Sequence, residues 1–287
     1  EQWQRAVSLL SEMRNVKLQL DIVCSSGAIS ACEKCGQWQQ ALSLLGKMRE
    51  AKLKPDVISY STGISACEKV GEWQRALALL VESSGREVEA NVVSFNALIS
   101  ACGKGGQWRR ALALLSIMQG NTVELDTISY NAGISACEKC GQWQHASSLL
   151  NALSNSGLEP SVTSFNACIS ACEKGEQWQQ AVHLIGKISE ANLEPDATSF
   201  NAAISACEKG RQWQHAMSLL RQIRVMKIEP HITSYNAGIS ACEKGKQWQL
   251  ALLLFSEAVD ARLERSVYSY SAAVLAYERG GRWRHAL

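Results

Sequence analysis

Residues 127 to 161 read TISYNAGISACEKCGQWQHASSLLNALSNSGLEPS, and the way this stretch folds decides the rest of the chain. Tyr130, Ile134 and Cys137 recur at i, i+4 and i+7, an apolar stripe along one helix face. Ser129 is the expected N-cap of that first helix. Gly141 ends it, and a second helix starts near Gln142 and Trp143. Ala146, Leu149, Leu150 and Leu153 continue the apolar face of the second helix. Leu158 and Pro160 close the unit, with Pro stopping a helix and pre-setting the turn. The stretch is therefore a pair of antiparallel helices of about 11 and 13 residues.

The same text recurs along the whole chain. Nine tryptophans stand at 3, 38, 73, 108, 143, 178, 213, 248 and 283, each 35 residues after the last, with no other Trp in 287 residues. A fixed period without insertions marks a repeat array, in which each helix pair buries its apolar face against its neighbours. The frame gives seven full repeats, 22–56, 57–91, 92–126, 127–161, 162–196, 197–231 and 232–266, flanked by partial repeats 1–21 and 267–287. All four prolines (Pro55, Pro160, Pro195, Pro230) take the penultimate place, where Ala90, Leu125 and Arg265 stand in other repeats. The expected fold is an all-α, right-handed α-solenoid (superhelix) of 35-residue helix-turn-helix repeats, a single domain over 1–287. The ends fall inside repeats, so the chain reads as part of a longer array, with any targeting peptide outside it. Trp at the start of each second helix is expected to wedge between adjacent repeats, away from any groove lined by first helices.

Bulk composition excludes several function classes. Charged residues are 20% and the formal net charge is +2, so charge alone does not announce a nucleic-acid binder. No apolar run approaches the ~18 residues of a membrane span. Eleven cysteines invite a metal or disulfide reading. Seven of them (Cys32, Cys67, Cys102, Cys137, Cys172, Cys207, Cys242) fall six residues before a Trp, one per repeat, which reads as a small buried hydrophobe. Cys32 with Cys35 and Cys137 with Cys140 form two C-x-x-C pairs, but these lie 105 residues apart, and a structural zinc needs about four ligands brought together. Neither a metal, another cofactor nor a disulfide is expected, and Cys140 should be the more reactive partner of Cys137. Reduced thiols fit a cytosolic or organellar interior. The histidines His145, His183, His215, His231 and His285 have no ligand or triad spacing, so no enzyme activity is expected.

The period, the S-[YF]-N-x-x-I-S-A start, the Lys and Gly of E-K-x-G, the A-L-x-L-L second helix and the closing L-x-P-D together resemble the pentatricopeptide repeat family, over the whole chain. Tetratricopeptide repeats, with a period of about 34, fit less well. The resemblance implies single-stranded RNA binding, one base per repeat, with first helices lining the groove. It implies a base-reading pair per repeat, twelve residues before each Trp and eighteen after it. Here the pairs are Ser26 with Asp56, Ser61 with Asn91, Asn96 with Asp126, Asn131 with Ser161, Asn166 with Asp196, Asn201 with His231, and Asn236 with Ser266, and Ser271 opens an eighth. By the same resemblance the pairs spell 5'-GAUCUNC-3', with the base opposite Asn201 and His231 undefined. It also implies that Val23, Ile58, Val93, Ile128, Thr163, Thr198, Thr233 and Tyr268 sandwich the bases. An organellar role in RNA processing, stabilisation, editing or translation, in chloroplast or mitochondrion, is the family's usual one.

The residues themselves leave alternatives open. Asn near a helix start and Asp after Pro also serve as caps or turn residues, and a β-branched residue enters a helix readily. Against capping alone stands the pattern: the first site holds only Asn or Ser, while Asp, Asn, Ser and His vary at the second. Asn offers a base edge both a donor and an acceptor, and Asp offers acceptors only, matching the ring N–H of U and G. Four residues before each Trp stand Lys34, Lys69, Lys104, Lys139, Lys174, Lys209 and Lys244, then Arg279. Such a column either tracks a phosphate backbone or pairs with the Glu that precedes it, as Glu33 precedes Lys34. Cys24-Ser25 replaces the usual Ser and Tyr or Phe, so the first helix of repeat 22–56 is expected to be poorly anchored. The competing class is a protein-binding or structural solenoid within an organellar ribonucleoprotein. Neither a membrane nor a small-molecule substrate is expected as a partner.

Overall fold

In the computed structural model the protein is all-α, and the structure describes residues 2–15, 21–121 and 123–260, with 270, 271, 274, 275 and 278. Fifteen helices and no strand occur among the described residues. Two compact units divide the chain, Glu1–Lys139 and Cys140–Leu287.

The first unit holds α1 (Gln2–Asn15), α2 (Ile22–Lys34), α3 (Trp38–Glu50), α4 (Val57–Val70), α5 (Trp73–Gly85), α6 (Val92–Lys104), α7 (Trp108–Gly120) and α8 (Thr127–Lys139). The first helices α2, α4, α6 and α8 pack side by side in chain order. Second helices α3, α5 and α7 each lie against the first helix before them and the one after. The second unit holds α9 (Trp143–Asn155), α10 (Val162–Lys174), α11 (Trp178–Glu190), α12 (Ala197–Lys209), α13 (Trp213–Val225), α14 (Ile232–Lys244) and α15 (Trp248–Asp260), and repeats the arrangement, with α10, α12 and α14 side by side. Each unit is thus an all-α repeat solenoid.

The stripes read from the sequence are the core. Tyr60, Ile64 and Cys67 on α4 are buried, as are Ala76, Leu79 and Leu80 on α5, and the pattern returns in each repeat. Burying one such Leu or Ile contributes roughly 1.5–3 kcal/mol. Since first helices such as α4, α6 and α12 pack against helices of both adjacent repeats, no helix pair completes its core alone.

Two left-handed turns recur per repeat. The first, after each first helix, has positive φ at Gly36, Gly71, Gly106, Gly141, Glu176, Arg211 and Lys246. Glycine adopts this conformation freely, and a non-Gly residue there costs about 1 kcal/mol. The second follows the second helix, at Lys52, Glu87, Gly157, Asn192 and Lys227. Neither position depends on glycine, because flanking carbonyls fix the turn: Gln177 N–H donates to Cys172 O at 2.8 Å, and Leu193 N–H to Ile188 O at 3.0 Å.

Trp occupies the place expected of a wedge. A Cβ built on Gly105 would lie 2.3 Å from Trp73 Cδ1, on Gly175 2.7 Å from Trp143 Cδ1, on Gly210 2.4 Å from Trp178 Cδ1, and on Gly245 2.4 Å from Trp213 Cδ1. Each indole therefore rests on the backbone that ends the first helix of the following repeat. The Arg110 guanidinium covers the Trp73 ring at 4.0 Å.

Two expectations need correction. Ser129 does not cap α8: its backbone N–H donates to Asp126 Oδ1 at 2.7 Å, so Asp126 is the cap and Ser129 lies three residues inside. A carboxylate accepts that N–H while keeping a second oxygen free, which a hydroxyl cannot do. Repeat 22–56 does form its first helix, with Asp21 accepting from Cys24 N–H at 2.7 Å. The missing aromatic leaves a gap instead: Ser25, Val7, Leu10, Leu44 and Met48 line a cavity of about 210 Å³.

Candidate nucleic-acid interface

Among the described residues, the second member of each reading pair is the N-cap of the next repeat's first helix. Asp56 accepts from Ser59 N–H at 2.8 Å, Asn91 from Ser94 N–H at 2.9 Å, Ser161 from Ser164 N–H at 3.3 Å, and Asp196 from Ser199 N–H at 2.8 Å. His231 does the same less well, its Nδ1 accepting from Thr233 N–H at 3.5 Å. Capping fixes these side chains at the start of a helix.

Within each unit the pairs differ in how they meet. Asn96 Nδ2 donates to Asp126 Oδ1 at 3.2 Å in the first unit. Asn166 Nδ2 reaches both carboxylate oxygens of Asp196, at 3.1 and 3.3 Å, in the second. Ser26 and Asp56 are joined through Ser59, whose Oγ lies 2.9 Å from Ser26 Oγ and donates to Asp56 Oδ1 at 2.6 Å. Ser61 turns its hydroxyl back to Ile58 O at 3.0 Å rather than toward Asn91. Asn201 accepts from Ser234 Oγ, and His231 lies beside Thr233 Oγ1 at 3.1 Å. Asn131 lies in the first unit and Ser161 in the second; Asn131 Oδ1 is buried without a hydrogen-bond partner, as is Asn96 Oδ1. Asn236 lies on α14 and Ser271 in a helical turn, while Ser266, Tyr268 and Arg279 fall outside the described residues.

Electrostatics follow from these bonds. Partial burial alone would raise the Asp126 and Asp196 carboxyls, but the donors around them outweigh it and hold both below the ordinary 3.8. Ser129 and Asn96 supply those donors to Asp126, and Ser199 and Asn166 supply them to Asp196. Each aspartate is thus a fixed anion with acceptor capacity to spare.

The column expected to sandwich bases is solvent-facing. Val23 is 77% exposed, Ile58 63%, Val93 59% and Ile128 64%, and Thr163, Thr198 and Thr233 are exposed too. A single exposed apolar residue is ordinary, but four at one register along neighbouring helices form a stripe that nothing in the fold covers.

The lysine column pairs across repeats, with a Glu one repeat earlier. Lys69 meets Glu33 at 2.8 Å, Lys104 meets Glu68 at 2.6 Å, Lys209 meets Glu173 at 3.0 Å and Lys244 meets Glu208 at 2.9 Å. Ser100, Ser205 and Ser240 donate to the same glutamates. Gly103 interrupts the glutamate column, so Lys139 lacks that partner, and Lys34 has no ion pair among the described residues. Lys174 ends α10.

The sequence marked Ser129 as a cap and gave no role to the matching serine, three residues into the other first helices from α4 to α14. Ser59, Ser94, Ser129, Ser164, Ser199 and Ser234 are all at most 2% exposed and all touch the pair or its cap. Their fixed register was legible as a column, but its direction was not.

The cysteines are free thiols, with the seven column positions buried and Cys24 and Cys35 exposed. Burial pushes Cys67, Cys102 and Cys242 up to about 11, and Cys172 and Cys207 up to about 12. No helix among the described residues is long and apolar enough to cross a membrane.

A pentatricopeptide repeat domain model matches residues 8–70, 56–107 and 183–244, and a PPR repeat family model matches residues 90–137 and 125–174. Solved structures similar to the chain include the pentatricopeptide repeat protein PPR10 in complex with an 18-nt psaJ RNA element, 20% identical with a TM-score of 0.81 over 98% of this chain and 41% of that one. PPR10 from maize is 19% identical with a TM-score of 0.51 over 98% of this chain and 50% of that one. The PPR domain of Arabidopsis thaliana protein-only RNase P 1, in complex with tRNA, is 14% identical with a TM-score of 0.52, covering 60% of this chain and 90% of that one. The chain spans only 41% to 50% of the PPR10 chains it matches. No curated protein matches it.

Proposed function

Because the chain belongs to the pentatricopeptide repeat family, we propose that it binds single-stranded RNA, one base per repeat, and selects among sequences. The observation that carries the proposal is the meeting of Asn with Asp from opposite ends of one repeat, at 3.2 Å for Asn96 and Asp126 and 3.1 Å for Asn166 and Asp196. A structural cap needs only the Asp; the Asn adds a donor and an acceptor at the place where a base edge would lie. The exposed Val93 and Ile128 hold the registers that flank the Asn96 and Asp126 place, and the exposed Thr163 and Thr198 hold those that flank Asn166 and Asp196. That the similar PPR10 and protein-only RNase P 1 structures contain RNA favours the same ligand class. The site proposed is 5'-GAUCUNC-3', with the amino end of the chain at the RNA 5′ end, and the role proposed is a binding module in organellar RNA processing, stabilisation, editing or translation.

Phosphate contact by the lysine column enters this proposal unevenly. Lys69, Lys104, Lys209 and Lys244 already share a carboxylate, which halves the field they offer an RNA backbone. Lys139 and Lys34 carry their charge without that partner and are the stronger phosphate ligands. Replacing Lys139 with Ala should reduce the salt slope of binding by about one counterion, and Lys104→Ala by less.

The test is fluorescence anisotropy with the proposed RNA, its scramble, and variants at one base. A wrong base at a read position should cost on the order of 1–3 kcal/mol. Asp126→Asn should move the third base from U toward C and leave the others alone. Equal affinity for the proposed RNA and its scramble would sink the proposal and favour a protein-binding solenoid.

A further inference from the structure

A carboxamide is two-faced, since rotation by half a turn exchanges its donor and acceptor ends. An Asn that reads a base is selective only if something fixes which end is which. In the Asn166 repeat both ends are held. Nδ2 donates to Asp196, and Oδ1 accepts from the hydroxyl of Ser199 at 2.5 Å, a contact made across 33 residues of chain. Ser199 Oγ lies farther from Asp196 Oδ1, at 2.9 Å, and takes the Asp196 backbone N–H at 3.2 Å. A hydroxyl has one proton; when it goes to Asn166, Asp196 keeps Asn166 Nδ2 and the Ser199 backbone N–H as donors. The flipped amide would set Oδ1 against the carboxylate, two acceptors facing each other.

The contact does not depend on the aspartate. In the Asn201 repeat the second residue is His231, and Ser234 still donates to Asn201 Oδ1. In the Ser26 repeat, Ser59 Oγ lies 2.9 Å from Ser26 Oγ but donates to Asp56, so that contact is not an orienting one. Ser59, Ser199 and Ser234 are at most 1% exposed, so neither solvent nor RNA reaches them directly.

Ser129 on α8 gives its hydroxyl to Asp126 and leaves Asn96 Oδ1 unpartnered. We therefore propose for α12 and α14 that the buried serine three residues in, Ser199 or Ser234, is a positioning residue for the reading pair of the preceding repeat. It fixes the Asn carboxamide so that one end alone faces the base. This rests on the pair being the base reader. The helix gains its main cap from the serine's backbone N–H, which any residue supplies; the hydroxyl adds the longer capping-box contact from the Asp196 N–H at 3.2 Å.

The experiment measures anisotropy on the whole chain with seven RNAs, 5'-GAUCUNC-3' itself, its three variants at the fifth base and its three variants at the third. Ser199→Ala should lower discrimination at the fifth base roughly fivefold, the loss of one orienting hydrogen bond, and leave the third base unchanged. Ser199→Thr, which keeps the hydroxyl, should restore discrimination to within about twofold of the parent. Should Ser199→Ala lose its helical circular dichroism, Ser199→Cys, of similar size with a weak donor, replaces it. Unchanged fifth-base discrimination in a folded Ser199→Ala or Ser199→Cys chain overturns the proposal. Asp196→Asn is the separating arm. If it shifts the fifth base while Ser199→Ala does not, only the serine's role fails; if neither shifts it, the pair reading fails with it.

Discussion

Gly210→Ala tests whether Trp178 is a wedge between repeats. Gly210 has an ordinary φ of −76°, so its backbone accepts alanine without strain and the substitution isolates one contact. The new Cβ would lie 2.4 Å from Trp178 Cδ1, 2.9 Å from Cγ and 3.2 Å from Cβ. Ordinary carbon contacts are about 3.5–4.0 Å, so more than one ångström must be recovered. The clash involves the root of the indole and not its far end, so a rotamer change does not relieve it, and the His215 ring stands 4.7 Å away. Overpacking of this kind costs about 1–3 kcal/mol, offset by about 0.4–1 kcal/mol from restricting the unfolded chain. The net expectation is a loss of roughly 0.5–2.5 kcal/mol. Gly186→Ala is the control, inside α11 with no atom within 4 Å of the added Cβ, and should gain up to about 1 kcal/mol from helix propensity. Thermal unfolding followed by circular dichroism should place the two midpoints on opposite sides of the parent, at about 2–4 °C per kcal/mol. A Gly210→Ala midpoint equal to or above the parent refutes the wedge.

Filling the Ser25 cavity of about 210 Å³ with Phe should stabilise the chain by about 1–2 kcal/mol. That allows for loss of the Ser25 hydroxyl bond to Asp21 O at 2.9 Å; an unmoved thermal midpoint would mean the gap is not the missing ring. A thiol reagent at pH 8 should label Cys24, Cys35 and Cys140 in the native chain and spare the seven buried column cysteines; at values near 11 the thiolate fractions of Cys67, Cys102 and Cys242 are roughly one in a thousand. Rapid labelling of Cys172 would contradict its burial. Stability should also fall in acid: Asp126 and Asp196 are depressed in the folded state, so their contribution is present above the ordinary 3.8 and is lost as pH falls through the lower folded values. Denaturant midpoints for the parent and for Asp126→Asn with Asp196→Asn should therefore converge below that pH; a constant gap would show the carboxylates are not held by their donors.

The 35-residue Trp period, with Pro and Asp at the close of a repeat, specified the helix pairs and their order, because every repeat solves the same local problem with the same apolar stripe. Identical repeats also made candidate reading positions visible as columns. Local pattern alone misassigned Ser129, since Asp and Ser three apart each look like a cap and only the carboxylate's second lone pair tells them apart. Other features required neighbours from different repeats to be brought together. The Lys–Glu pairs span 36 residues, and the Ser199 bond to Asn166 spans 33, distances at which the sequence carries no local signal of approach. The cavity at Ser25 likewise needed three helices in place before a missing ring became a measurable volume. Sequence determined the unit because helix formation and its apolar face are local and periodic; tertiary structure decided the chemistry at the junctions, because each hydrogen bond there depends on where the next repeat sets its backbone.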